Sequence, residues 1–227
     1  MRMMHLKRIA AVVVAAGLLL AVAATPARAI PIGGDYSLID ITSAPYLRAA
    51  GLDLAALGTG ELHTFAILGV TTLVLPVTGG DVALPFSFDG TIEHSGSGLR
   101  LSSSGINLDL RNFVMNTVTW KMSADYDYAS GAATGAGDIF DILACDSGPP
   151  GTCFTLPRGA VIPSALRLSF TDLGAGLVNF VIPGLAGAGM QFGVANTALT
   201  AVPEPGTALL VGSALVGLAA LRRNRRA

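Results

Sequence analysis

Between residues 30 and 201 apolar and polar side chains alternate in short runs. Val82, Leu84, Phe86 and Phe88 alternate with Asp81, Ala83, Pro85 and Ser87, and Ile106, Leu108 and Leu110 with Asn107, Asp109 and Arg111. Val118, Trp120 and Met122 alternate with Thr119, Lys121 and Ser123, and Leu166, Leu168 and Phe170 with Arg167, Ser169 and Thr171. A period of two puts one face of a strand in a core and the other in solvent. Clusters at Gly79 to Asp81, Ser95 to Gly98, Ser102 to Gly105, Ser130-Gly131 and Gly135 to Gly137 punctuate the runs as turns. The pattern predicts a mainly β fold, either an antiparallel β-sandwich or a barrel-like sheet. Two stretches depart from it. Ala44 to Leu57 has apolar residues near a helical spacing but is interrupted by Gly51, and fits a short helix or a strand equally. Gly174 to Met190, rich in Gly and Ala with Pro183 inside, reads as a loop with room for a short helix, and Gly193 to Ala201 supplies a last strand.

Two further apolar runs do not alternate at all. Ile9 to Ala24 is sixteen residues of Ala, Val, Leu, Ile and one Gly, preceded by the basic segment Met1 to Arg8 and followed by Thr25-Pro26 and Ala27-Arg28-Ala29. These are the parts that a Sec translocon and a signal peptidase read, and cleavage after Ala29 is expected. The run is shorter than the ~20 residues of a membrane span, which argues against a retained anchor. Gly206 to Leu221, also sixteen residues, carries no charge and is followed by Arg222, Arg223, Arg225 and Arg226. As a helix it spans about 24 Å, and local thinning with snorkelling arginines covers the rest of a ~30 Å hydrocarbon core. The arginines place that end in the cytoplasm and the domain before it outside. The expected organisation is a signal helix at 1–29, a β-rich extracytoplasmic domain at 30–201 and a C-terminal segment at 202–227 with a transmembrane helix at 206–221.

Charge changes the picture once it is placed. The 227 residues are 52% hydrophobic and only 13% charged, with a formal net charge of −1. Eight of the fourteen basic residues lie in the two terminal segments, whereas residues 30–201 hold six basic residues against fourteen acids, a net −8. An acidic domain lacks the basic footprint that nucleic acid needs.

Candidate chemistry is sparse. Cys145 and Cys153 flank a seven-residue Gly/Pro-rich loop, and in an oxidising compartment a disulfide is expected there, worth roughly 2–3 kcal/mol in the chain-entropy model. A metal site needs more ligands than this pair, and a nucleophilic Cys needs a neighbouring base. Only His63 and His94 lie in the domain, and there is no Gly-x-Ser-x-Gly elbow, His-Glu-x-x-His helix or phosphate loop. No catalytic residues are assigned, and the domain is expected not to be an enzyme; carboxylates paired in space for glycoside hydrolysis are the open alternative. Asp125, Asp127, Asp138, Asp141 and Asp146 fall within 22 residues. Asp125, Asp127 and Asp138 are a weak calcium candidate, since the spacing lacks the EF-hand pattern, and solvated loop acids are the commoner account. Trp120, Tyr126 and Tyr128 alternate along one run and fit either a core face or a sugar-stacking platform.

Val202, Pro203, Glu204 and Pro205 precede the apolar run, and the two prolines hold an extended stretch that a protease cleft can bind. Motif, apolar helix and Arg-rich end, in that order at the C-terminus, resemble the PEP-CTERM sorting signal. The resemblance implies recognition by an exosortase, a membrane-embedded cysteine protease/transpeptidase, with transient anchoring in the inner membrane, removal of the tail, and release or attachment at the cell surface. It makes the chain a substrate and assigns it no catalysis. Separately, Thr91 to Gly96, Leu99 to Leu101 and Leu108 to Val114 resemble a hairpin series in HtaA-type β domains, some of which bind haem; no haem ligand is carried onto His94 or Tyr126. The expectation is an exported protein whose β domain is a structural or interaction module at the cell surface or in the exopolysaccharide matrix, without a cofactor. The alternatives are an extracellular polysaccharide hydrolase and a surface protein that binds haem or calcium.

Overall fold

The computed structural model describes residues 29–65, 70–83, 89–128, 133–145, 154–155, 162–163 and 165–201. The expected signal segment with Ala27, the motif Val202 to Pro205, the 206–221 helix, Arg222 to Arg226, Asp146 and Cys153 lie outside the described residues. In chain order the elements are β1 (Ala29–Gly33), β2 (Tyr36–Asp40), α1 (Ala44–Ala49), β3 (Asp53–Gly58), β4 (Glu61–Phe65), β5 (Val70–Pro76) and β6 (Gly79–Ala83). The long central strands follow: β7 (Gly90–Ser103), β8 (Ile106–Asn116), β9 (Lys121–Tyr128) and β10 (Thr134–Cys145). After the short pair β11 (Phe154–Thr155) and β12 (Ile162–Pro163) come β13 (Leu166–Phe170), α2 (Asp172–Val181), β14 (Gln191–Thr197) and β15 (Thr200–Ala201).

Thirteen of these strands form one antiparallel sheet in the order β15-β1-β6-β7-β8-β9-β10-β13-β14-β2-β5-β4, with β3 also on β7. One edge of β7 takes β6 against Gly90 to Glu93 and then β3 against Ser97 to Ser102. The turn at Thr59-Gly60 carries the chain from β3 into β4, the strand at the far end of the order, so the sheet is nearly closed into a barrel. Of the two architectures that the alternation allows, this is the barrel-like one.

The curvature has a local cause. Ile92 and His94 face inward on β7, but so do Leu99 and Leu101, because the parity reverses across Ser95 to Ser97, three residues that stand against Asn112 alone on β8. On β8 the parity reverses between Leu110 and Phe113, across Arg111 and Asn112, with Asn112 at φ +51°. Gly96 N–H donates to Asn112 Oδ1 at 2.8 Å, which ties the two irregularities together. A third falls on β10 between Asp138 and Phe140. Bulges bend their strands and sharpen the twist, which a closing sheet needs. Inside lie Phe113, Phe140, Phe170 and Phe192, with ring centroids 4.6–6.5 Å apart. At these separations the rings interdigitate as core aromatics do.

Three of the expected turns are strand. Gly79 to Asp81 lies in β6, Ser95 to Gly98 in the bulge of β7, and Gly135 to Gly137 in β10. There glycine makes room rather than a reversal: a Cβ at Gly98 would meet the Leu110 carbonyl, and one at Gly135 would lie 2.6 Å from Tyr126 Oη. Ser102 to Gly105 does turn, with Ser104 and Gly105 both at positive φ. Ser130-Gly131 lies outside the described residues. The run from Val118 to Ser123 is strand only from Lys121 onward. Asn116 Oδ1 accepts the N–H groups of Val118 and Thr119, both at 2.9 Å, so the chain turns and leaves Val118 60% exposed.

The two ambiguous stretches resolve by punctuation. Ala44 to Leu57 is both helix and strand: α1 stops at Gly51, φ +87°, and β3 follows. Gly174 to Met190 holds both the short helix and the loop: it begins inside a ten-residue helix, α2, and turns follow from residue 182 to 190. Thr171 caps it by accepting Gly174 N–H at 3.0 Å, and it ends just before Pro183. Its Ala175, Leu177, Val178 and Val181 face is buried against the sheet.

Candidate functional site

Alternation along β2 turns Ser37 and Ile39 inward, alternation along β14 turns Ala195 and Thr197 inward, and Ser37 and Thr197 are register partners. His94 comes to the same place from β7, just before the bulge. His94 Nδ1 lies 3.0 Å from the Pro76 carbonyl oxygen, which can only accept, so Nδ1 carries the proton. Nε2 is then the acceptor for the Ser37 hydroxyl at 3.2 Å, and Ser37 Oγ accepts from Thr197 Oγ1 at 2.8 Å. All three side chains are fully buried. Burial pushes the His94 pKa down to about 4, only partly opposed by the Pro76 and Leu75 backbone carbonyls. A hydroxyl on an imidazole is the geometry of an activated nucleophile, yet here the ring is held by a carbonyl and no side of the trio meets solvent. What the trio does is join β2, β7 and β14 to the end of β5, where the sheet closes.

The outer face carries the charge. Arg100 on β7 donates Nε and Nη2 to the two oxygens of Asp109 on β8 at 2.6 and 2.8 Å, and Arg111 Nη2 adds a third bond at 2.7 Å. Asp109 is only 4% exposed. Hydrogen bonds from Arg100, joined by those from Arg111, hold its carboxyl below the usual carboxylate range against the cost of burial, and Arg100 is correspondingly raised. One row on, Asn112 Nδ2 donates to Asp125 Oδ2 at 2.8 Å. Lys121 sits between Asp141, at 3.1 Å, and Asp138, at 3.7 Å. That pairing, led by Asp141, raises the Lys121 pKa.

The calcium candidate is therefore dispersed. Asp125 and Asp127 stand opposite Arg111 and Asp109 on β8, whereas Asp138 turns to Lys121. Among the described residues no three His, Cys, Asp or Glu side chains are grouped to hold a metal. The aromatic run divides as well. Tyr128 is buried, its hydroxyl donating to the Leu177 carbonyl at 2.8 Å and its ring 4.4 Å from Phe180, and burial raises its pKa to about 12. Tyr126 and Trp120 both pack half-buried against the same core, Trp120 from the turn before β9, with φ +55°. His63 is exposed and meets Glu61 at 3.0 Å. Cys145 ends β10 opposite Leu166, and its expected partner Cys153 lies outside the described residues. Ala29 opens β1 opposite Ala83.

Sequence reasoning did not single out Ser37, Thr197 or the Arg100–Asp109–Arg111 group. Reflecting the chain about the Ser104-Gly105 turn puts Arg100 opposite Asp109, so that pair was available from the hairpin signal. The Ser37–Thr197 pair joins residues 160 apart and has no local signal.

Comparison with known proteins agrees with this division between a sheet and a tail. The C-terminal domain of HtaA from Corynebacterium glutamicum superposes with a TM-score of 0.50 at 12% identity, over 76% of this chain and 98% of that one. At that identity the likeness is one of fold. A search of curated proteins finds no match. Among the described residues no helix is long and apolar enough to cross a membrane. Residues 201–226 match the PEP-CTERM protein-sorting motif, so this chain carries, behind an HtaA-like barrel, the signal that implies export, anchoring in the membrane and processing by an exosortase.

Proposed function

We propose that the mature barrel is a structural or interaction module, delivered by exosortase processing to the cell surface or the exopolysaccharide matrix, with no chemistry of its own. The observation that carries this reading is the fate of its reactive side chains. His94 and Ser37 are used up in a solvent-free trio, and Asp109 in a three-bonded ion group, so the residues best suited to acid–base work are committed to holding strands together. Asp125 and Asp127 stay exposed on β9, polar surface of the kind that meets a hydrated polymer. The test is binding of the exported, processed protein to the exopolysaccharide of its own cells. Retention on that polymer without shortening of its chains is the expected result. Release of new reducing ends would replace the module with a hydrolase, and a haem absorption band or bound calcium in the purified protein would replace it with a ligand-binding protein.

A further inference from the structure

Ala201 is both the last residue of β15 and the first residue of the matched sorting motif. β15 is the shortest strand of the main sheet and touches it through two residues, Thr200 opposite Gly33 and Ala201 opposite Ile32. Just upstream the chain is fixed: Ala198 N–H donates to Tyr36 O at 3.0 Å, and Leu199 is buried in the core. Downstream, Val202 alone separates β15 from Pro203. The four residues from Val202 to Pro205 reach at most about 14 Å when extended, so a membrane-embedded protease that grips the chain on both sides of a cut near Pro203 to Pro205 would collide with the barrel.

We propose that β15 is a releasable strap: it lies on β1 in the folded domain and leaves β1 when the exosortase takes the motif. Releasing two residues adds about 7 Å of extended chain, while Leu199 and the Ala198 bond keep the rest of the barrel intact. The inference rests on the exosortase reading and adds that access to the motif, in addition to its sequence, sets the rate of processing.

The test follows loss of the tail by mass spectrometry in cells with an active exosortase. A six-residue Gly/Ser spacer between Ala201 and Val202 supplies the reach without release, and that precursor is expected to be processed about fivefold faster, the factor one net backbone hydrogen bond represents. A Gly33→Cys/Thr200→Cys pair, its disulfide confirmed in the linked peptides, locks the strap and is expected to stop processing. The locked chain carrying the spacer is expected to be processed again, which a merely misfolded lock would not allow. Equal rates with and without the spacer, a locked chain cut as fast as the natural one, or a spacer that fails to rescue the lock would each overturn the strap while the motif reading stands. If no precursor loses its tail, the motif reading fails and the strap with it.

Discussion

His94 shows how one side chain sets a condition on the whole barrel. Its folded pKa, about 4, lies below the ordinary 6.5, so the unfolded chain takes up a proton that the folded one refuses. Stability is therefore fully present above pH 6.5 and is lost as pH falls from there towards 4. The loss amounts to about 3 kcal/mol at roughly 1.4 kcal/mol per unit, and denaturant titrations at pH 7.5 and pH 4.5 should show it. A His94→Gln variant should flatten that dependence while costing stability at neutral pH. Asp109 works in the opposite direction, by being charged. Asp109→Ala leaves Arg100 and Arg111 without the carboxylate they share and should cost about 2 kcal/mol, a value kept low because both guanidinium groups are partly in water. A double-mutant cycle with Arg111→Ala measures how much of that belongs to the third bond.

Elements in this chain are made by punctuation as much as by alternation, which is why some were legible and others were not. The faces of Leu108 and Leu110, and of Leu166, Leu168 and Phe170, follow their period of two into the core. On β7 the alternation holds from Ile92 to His94, but the bulge after it shifted every later side chain of the strand, and a bulge has no fixed signature. Glycine misled for a related reason: in β6, β7 and β10 it answers to a neighbour across the sheet, a partner that local sequence does not name. α2 was underread because Gly174 and Gly176 lower helix propensity, while burial of one face and the Thr171 cap outweigh them. Thr171→Ala should therefore cost about 1–2 kcal/mol, since the hydroxyl both accepts Gly174 N–H and donates to the Asp138 carbonyl. Gly174→Ala, helpful in an isolated helix, should destabilise by about 1–3 kcal/mol because its Cβ would press on the Ile139 carbonyl. Thermal unfolding of the two variants distinguishes a cap from a close approach.

For the whole molecule, the C-terminal signal was the most legible part and the barrel's role the least. Sorting signals are read as linear strings, so the PEP-CTERM resemblance could be seen from a few residues and the match at 201–226 agrees with it. A barrel's partners are read from a surface that many sequences can build. The mature protein is expected to begin at Ile30 and to end near Pro205, and intact-mass measurement on the exported form checks both ends at once; a form retaining Arg222 to Arg226 in cells with an active exosortase would contradict the processing. The long-range trio carries a consequence for how such a protein is made. A chain exported from its N-terminus delivers residue 37 first, residue 94 next and residue 197 almost last. Until Thr197 has crossed, the seam is open and His94 is an ordinary wet imidazole with its ordinary affinity for protons. Its conversion into a dry, neutral pin is thus a late event of biogenesis, and an acidic compartment would oppose the completion of the barrel more than the keeping of it.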